Sequence, residues 1–95
     1  MLNFRYINIK FVKDKAGNCM KLTGEIQNCM SKNFNAVAFR ITIFLDNEPV
    51  ANTVLIISGF GANQVRTFEQ KIEEVKYSYE FKKKLRCEIY PESVY

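Results

Sequence analysis

The side chains with which this chain could do chemistry are its three cysteines, ten carboxylates and fourteen lysines and arginines, and it has no histidine. Without histidine it lacks the commonest general base, the usual nitrogen ligand of metals and every Ser-His or Cys-His nucleophile pair. The spacing of Cys19, Cys29 and Cys87 contains no C-x-x-C motif, which argues against a redox pair or a zinc site. We therefore predict a protein that is not an enzyme, with no catalytic residue, metal or cofactor.

The densest group of charges is the run Lys82-Lys83-Lys84-Leu85-Arg86, whose four cationic side chains we call the basic cluster. Cations in this density pair with phosphates or with acidic partners, and the preceding Tyr77, Tyr79 and Phe81 could stack on bases. The three aromatics also share strand parity with Leu85, Cys87 and Ile89, which favours a place in the core. Exposed lysines moreover protect a sheet edge from unwanted pairing.

Two further segments have the composition of contact loops. Gly59 to Gln64 carries Phe60 between two glycines, and an exposed aromatic at a loop tip is a typical contact residue. The segment lacks the Lys-Ser/Thr ending of a phosphate-binding loop. The turn Asn47–Pro49 adds a second polar tip, and we interpret the acids Asp46, Glu48 and Glu73-Glu74 as solvated loop charges.

Length and composition are those of one globular domain spanning residues 1–95. The chain is 47% hydrophobic and 25% charged, with a net charge of +4 and a sequence pI near 9.0. A mildly positive net charge mainly favours solubility, and secondarily the binding of anionic partners. The sequence shows neither a signal-peptide apolar run nor a transmembrane segment. The expected location is cytoplasmic if the chain is complete, and extracytoplasmic if it is a fragment of a longer exported protein.

Alternating apolar residues predict β-strands throughout. The clearest runs from Phe34 to Asp46, where Val37, Phe39, Ile41, Ile43 and Leu45 share one parity. A second strand is expected over Cys19–Asn28, with Met20, Leu22, Gly24 and Ile26 inward; a glycine in such a slot marks the close approach of other atoms. The full set of expected strands is 2–12, 19–28, 34–46, 50–58, 65–72 and a last segment from Tyr77 to Ile89.

Three details of this pattern carry specific expectations. Parity shifts within the first strand, which predicts a bulge or a strand that switches sheets. Val54-Leu-Ile-Ile57 is apolar on both parities, so we expect both of its faces to be covered. The last segment reads as one strand, or two broken near Lys82–Lys84, and fits a helix less well. Six or seven strands at this spacing predict a single all-β antiparallel sandwich.

The chain also resembles a known family between Leu22 and Ile72, a little over half of its length. The matching features are Gly24 with Asn28 in one strand, the strand entry Asn35-Ala-Val37, a strand ending at Phe44-Leu-Asp46, and a glycine loop before Phe68-Glu69. These resemble the FxLYD-type immunoglobulin-like domains. The resemblance implies a small immunoglobulin-like sandwich without catalytic residues, of a kind usually found outside the cytoplasmic membrane.

The function predicted from the sequence is a non-enzymatic binding module of unknown protein partner, with contacts through loops or an edge strand. Such an edge also predicts a homodimer or the capture of an extended peptide. One alternative is a small basic nucleic-acid-binding barrel of the OB type, with outward aromatics beside the basic cluster. A second is a domain like the intracellular proteinase inhibitors. The candidate contact residues are Phe60, Asn47, Glu48, Lys82, Lys83, Lys84 and Arg86.

Overall fold

The fold is an all-β sandwich of two three-stranded antiparallel sheets. The structure is a computed structural model that describes residues 2–95, apart from the side chains of Tyr79 and Phe81. Its elements in chain order are β1 (Phe4–Lys13), β2 (Cys19–Asn28), β3 (Phe34–Leu45), β4 (Glu48–Phe60), β5 (Val65–Lys76), α1 (Tyr79–Lys84) and β6 (Leu85–Val94). The predicted bounds of β2 and β3 are confirmed almost to the residue.

The strand order defines which strands lie at the edges. One sheet has the order β1-β2-β5 and the other β4-β3-β6, so β2 and β3 are central and the other four strands are edges. Contacts between β4 and β5 join the sheets on one side of the sandwich, which leaves β1 and β6 on the other side. Central strands bury one complete face, and this is why the alternation in β2 and β3 was so regular.

Side chains from both sheets fill the space between them. Gly24 lies in the inward row of β2, where a Cβ atom would overlap Ile9 Cδ1 and come within 3.3 Å of the Ile7 carbonyl oxygen. The close approach predicted at this glycine is therefore confirmed. The buried apolar residues are Met20, Leu22, Ile26, Phe34, Val37, Ala38, Phe39, Ile41, Ile43, Ile57, Phe60, Phe68, Ile72 and Val75.

The predicted break in the first strand is a β-bulge. The register of β1 against β2 shifts between Ile7 and Lys10, and Asn8 adopts a left-handed φ of 53°. A bulge moves the following side chains to the other face, so that Tyr6 and Ile9 both pack against the core although their numbers differ in parity.

Two expectations from the pattern were wrong. The chain forms the helix α1 at Tyr79–Lys84 where a strand was expected, with Glu80 in its first turn and Lys82, Lys83 and Lys84 in its last. This charge order complements the helix dipole. Strand β5 continues to Lys76, so Glu73 and Glu74 lie in a strand and not in a connecting loop.

The prediction for the outer face of β4 was also wrong. Val54 and Ile56 point away from the core and are 37% and 62% exposed, whereas Ile57 is buried. The expectation that both faces of this strand are covered is wrong for the single chain. The inward face alternates as predicted, and the outward apolar side chains form an open ribbon along an edge strand.

Candidate interaction surfaces

Most of the predicted contact residues meet at one end of the sandwich. Asp46 and Asn47 form the β3–β4 turn with φ values of 51° and 68°, the two left-handed positions that a type I′ turn requires. The Asp46 amide donates to the Lys84 carbonyl oxygen at 3.3 Å, which ties the turn to the end of α1. Asn47, Glu48 and the basic cluster therefore lie on the same end, with the cations beside the acidic turn.

Acidic neighbours reduce the positive charge of the basic cluster. Lys84 Nζ lies 3.9 Å from Asp46 Oδ2, and the Arg86 guanidinium lies 3.3 Å from Glu88 Oε2. Arg86 also lies over the Phe44 ring, 4.2 Å from its centroid. Exposed ion pairs contribute little to stability, but they lower the field that an anionic ligand would meet.

The OB-type alternative depended on outward aromatics next to this cluster. Tyr77 instead packs against the hydrophobic core, while the side chains of Tyr79 and Phe81 lie outside the described part of the structure. The described strands also form two separate sheets, and an OB fold closes its five strands into a barrel. Nucleic-acid binding itself remains an untested prediction.

Phe60 is not a loop-tip contact, and this prediction was wrong. The residue ends β4 with no exposed surface, and its ring centroid lies 5.8 Å from Phe4 and 6.4 Å from Phe39. Gly59 directly before it takes a left-handed φ of 63°, which L-residues adopt at a cost. Gly59, which suggested an exposed loop tip, thus provides the left-handed backbone directly before the buried Phe60.

Asn28, which is fully buried, joins the loops at the end of the sandwich where β4 finishes, opposite the β3–β4 turn. Its Nδ2 donates to the carbonyl oxygens of Lys32 at 2.9 Å and Gly61 at 3.0 Å, and its Oδ1 accepts from the Met30 amide at 3.0 Å. One side chain therefore fixes both the β2–β3 and the β4–β5 connections. A polar residue in the inward row of a strand was the sequence signal for this role.

A different surface, not predicted from the sequence, lies on the side of the sandwich where β1 faces β6. The inward side chains of these strands pack against the core, yet none of them is fully buried. They are Phe4, Tyr6, Ile9, Phe11, Leu85, Cys87, Ile89 and Val94. On the opposite side, β4 and β5 contribute Ile57, Phe60, Phe68, Ile72 and Val75 as buried residues. The core is thus covered more completely on the β4–β5 side, although Ala51 and Leu55 of β4 are also only half-buried.

The open side contains a cleft of about 190 Å³ between the two edge strands. Tyr6 and Ile9 line it from β1, and Cys87 and Ile89 line it from β6. The Tyr6 hydroxyl is buried without a hydrogen-bond partner, and burial raises the pKa of Tyr6 to about 12. Burial also raises the pKa of the Cys87 thiol, although the nearby Arg86 charge lowers it in part. The cleft is therefore apolar, with one unsatisfied polar atom.

The remaining candidate chemistry is sparse in the described part of the chain. Cys19, Cys29 and Cys87 are all free and half-buried. Residues 2–95, as far as they are described, bring together no group of three or more acidic or cysteine side chains that could hold a metal ion. They also include no helix with the length and apolar character needed to cross a membrane.

Comparison with known proteins adds no functional information. No protein-family model, no curated protein and no solved structure matches this chain. The class of protein is therefore given by its architecture alone, a six-stranded all-β sandwich.

Proposed function

We propose that this protein is a non-enzymatic interaction module that binds an extended segment of a partner polypeptide along β6, on the open side of the sandwich. The observation that carries the proposal is the apolar cleft with the unpaired Tyr6 hydroxyl. A buried polar atom without a partner costs about 1–3 kcal/mol, so a ligand that supplies the missing hydrogen bond gains affinity.

The strand order supports an immunoglobulin-like reading of this site. If β1, β2 and β5 correspond to strands A, B and E, then β4, β3 and β6 correspond to C′, C and F. Immunoglobulin-like sandwiches pair a further strand, G, with F. Among the described residues β6 pairs only with β3, so its outer edge, where G would pair, can accept an added strand. We propose immunoglobulin-like membership on these grounds, and FxLYD-like membership on the sequence features between Leu22 and Ile72 alone.

The two edges that border the cleft are not equally suited to strand addition. β1 is interrupted by its bulge at Asn8, which breaks the regular row of backbone donors and acceptors. β6 is in unbroken register with β3 from Leu85 to Tyr90, before Pro91 removes one backbone N–H. The incoming segment therefore pairs with β6 over Leu85–Tyr90.

The cleft also defines the chemistry of the segment. Strand side chains alternate between faces, so every second residue of the ligand points toward the core. One of these side chains must be small or medium-sized and apolar to enter between Ile9, Cys87 and Ile89. A neighbouring polar atom then pairs with the Tyr6 hydroxyl. Such β-augmentation takes its affinity from the backbone and its specificity from the cleft.

The alternatives from the sequence have less support. Nucleic-acid binding would use the basic cluster, where Lys84 and Arg86 already lie beside acids. An inhibitor-like role would use a rigid protruding loop, and Phe60 does not supply one because it is buried. Self-association through an edge strand is a second form of strand addition, and it involves a different edge from β6.

The test is selection of random peptides displayed on phage against the intact protein, followed by binding measurements on Cys87→Leu, which fills the cleft. We expect the selected peptides to alternate apolar and polar residues, to slow amide hydrogen exchange over Leu85–Tyr90, and to lose affinity for Cys87→Leu. Cys29→Leu is the matched control, because Cys29 is also half-buried and free but lies outside the cleft.

Peptides that protect a different strand and bind Cys87→Leu normally would overturn the proposal. Circular dichroism of the variant separates this outcome from misfolding. If Cys87→Leu does not fold, Tyr6→Phe provides a second test, because it removes only the hydroxyl and fills no space. Equal binding of a cleft-directed peptide to Tyr6→Phe would mean that the unpaired hydroxyl is not part of the site.

A further inference from the structure

Among the four edge strands, β4 has the least protection against pairing with another chain. No residue from Pro49 to Phe60 is charged. β1 has a bulge, β5 carries charges along its length and β6 contains Pro91, all of which are known means of blocking an edge. β4 has such features only at its beginning, where Glu48, Pro49 and a register shift precede the stretch Asn52–Ser58. The exposed ribbon of Val54 and Ile56 lies along this same strand. A long, uncharged apolar edge is an association site unless it is covered.

We propose that a second copy of this chain covers it, through antiparallel pairing of β4 with β4 about a two-fold axis at Leu55. In this register Val54 of each copy lies opposite Ile56 of the other, and Asn52 lies opposite Ser58. Because the strand is uncharged, self-pairing places no like charges against each other. This interface goes beyond the proposed site at β6, which lies at the far edge of the same sheet.

The polarity of the paired side chains favours this register over the two registers closest to it. Moving the axis to Val54 would place Asn52 opposite Ile56, and moving it to Ile56 would place Val54 opposite Ser58. Both shifts put an exposed apolar residue against a polar one, whereas an axis at Leu55 pairs like with like. An axis between two residues would pair inward with outward side chains and is excluded by the pleat.

Charges beside the strand fit the same arrangement. Arg66 extends from β5 to one end of β4, where it donates to the carbonyl oxygens of Ser58 at 3.0 Å and Gly59 at 3.2 Å. Glu74, also from β5, lies at the other end beside Val50, Ala51 and Asn52. Since Ser58 of one copy lies opposite Asn52 of the other, Arg66 of each copy faces Glu74 of its counterpart. The two-fold axis therefore creates two equivalent pairs of opposite charge.

The first test is the mass of the intact protein in solution, measured by light scattering over a range of concentrations. We expect a dimer with twice the 11.1 kDa mass of the chain. Ile56→Lys should give monomers, since it places a lysine in the interface at a position that is exposed in the single chain. Tyr90→Lys is the matched control: Tyr90 is 51% exposed on β6, and its replacement should leave the dimer intact. A monomeric wild-type protein, or a dimer that persists in Ile56→Lys, would overturn the proposal.

The second test is a charge exchange. Arg66→Glu and Glu74→Arg should each weaken self-association by about tenfold, because each variant opposes like charges at both contacts. Mixing the two variants should restore dimers, since every contact in the mixed dimer again joins an acid and a base. Simple loss of the Arg66 hydrogen bonds to β4 would not be rescued by mixing. Failure of the mixture to dimerise would therefore contradict the register.

Discussion

At the scale of single residues, three positions determine local packing and hydrogen bonding in this sandwich. Gly24 allows β1 to approach β2, Asn28 joins two loops from inside the core, and Tyr6 leaves a buried hydroxyl unpaired. The first two stabilise the fold, whereas the third lowers its stability. Thr23 Oγ1 is likewise buried without a partner, but only the Tyr6 hydroxyl belongs to a residue that lines the cleft.

Gly24→Ala should lower the free energy of unfolding by about 2 kcal/mol, because the added methyl group overpacks a finished core. It would overlap Ile9 Cδ1 and come within 3.2 Å of the Phe68 ring and 3.3 Å of the Ile7 carbonyl oxygen. Urea unfolding followed by circular dichroism measures the change. Gly17→Ala is the control, since the nearest atom to its Cβ would be Asp14 Oδ2 at 3.9 Å. Equal stability of the two variants would contradict the proposed close packing.

Tyr6→Phe should stabilise the free protein by about 1 kcal/mol near neutral pH, because it removes a buried hydroxyl that has no partner. The same change should alter the pH dependence. Burial raises the pKa of Tyr6 to about 12, above its ordinary value of 10.0, so the unfolded chain loses this proton first. Ionisation of Tyr6 therefore leaves the stability of the wild type unchanged below about pH 10 and lowers it as the pH rises toward about 12.

The difference in free energy of unfolding between wild type and Tyr6→Phe, measured by urea titration at several alkaline pH values, isolates this contribution. Wild type should lose stability relative to the variant as the pH rises through that window. A variant less stable than wild type at neutral pH would show that the Tyr6 hydroxyl has a partner in the free protein.

At the scale of elements, the sequence was most informative where a strand is central. Burial alternates strictly along β2 and from Phe39 to Ile43 in β3, because each strand packs one face on the core. The bounds of both strands could be predicted almost to the residue. Edge elements were less predictable. The alternation of Tyr77, Tyr79 and Phe81 suggested a strand, but residues Tyr79–Lys84 form the helix α1, whose charge order suits the helix dipole.

The candidate sites were missed for a related reason. Parity shows which residues of a strand share a face, but not whether anything covers that face. The sequence of β4 was apolar on both sides, and only the strand order shows that its outer face and its edge are open. The cleft likewise depends on β1 and β6 lying opposite each other, a long-range relation that local pattern does not contain.

The β3–β4 turn gives a prediction at this scale. Asn47 has a φ of 68°, so Asn47→Ala should lower the free energy of unfolding by about 1 kcal/mol, because alanine lacks the polar side chain that helps asparagine adopt this conformation. The midpoint of urea unfolding of Asn47→Gly should be at least as high as that of the wild type, since glycine is favoured at this position of a type I′ turn. Equal losses in both variants would mean that Asn47 contributes through its side chain rather than through its backbone conformation.

At the scale of the whole molecule, the two proposed surfaces lie at opposite edges of one sheet. The β4 pairing would join two sheets into one continuous sheet of order β6-β3-β4-β4-β3-β6, with the clefts beside β6 at its two ends. Both clefts would remain open, because neither β1 nor β6 takes part in the pairing. The assembly would thus present two identical sites, one at each end of the joined sheet.

This geometry predicts bivalent binding. On a surface densely coated with a peptide selected against the cleft, the wild-type dimer should bind at least about a hundredfold more tightly than the Ile56→Lys monomer, because its second contact forms at high effective concentration. With the same peptide free in solution, both proteins should bind one peptide per chain with equal affinity. Surface plasmon resonance and calorimetry measure the two quantities. If Ile56→Lys also weakened binding in solution, the cleft would depend on the dimer interface, and the two surfaces would not be independent.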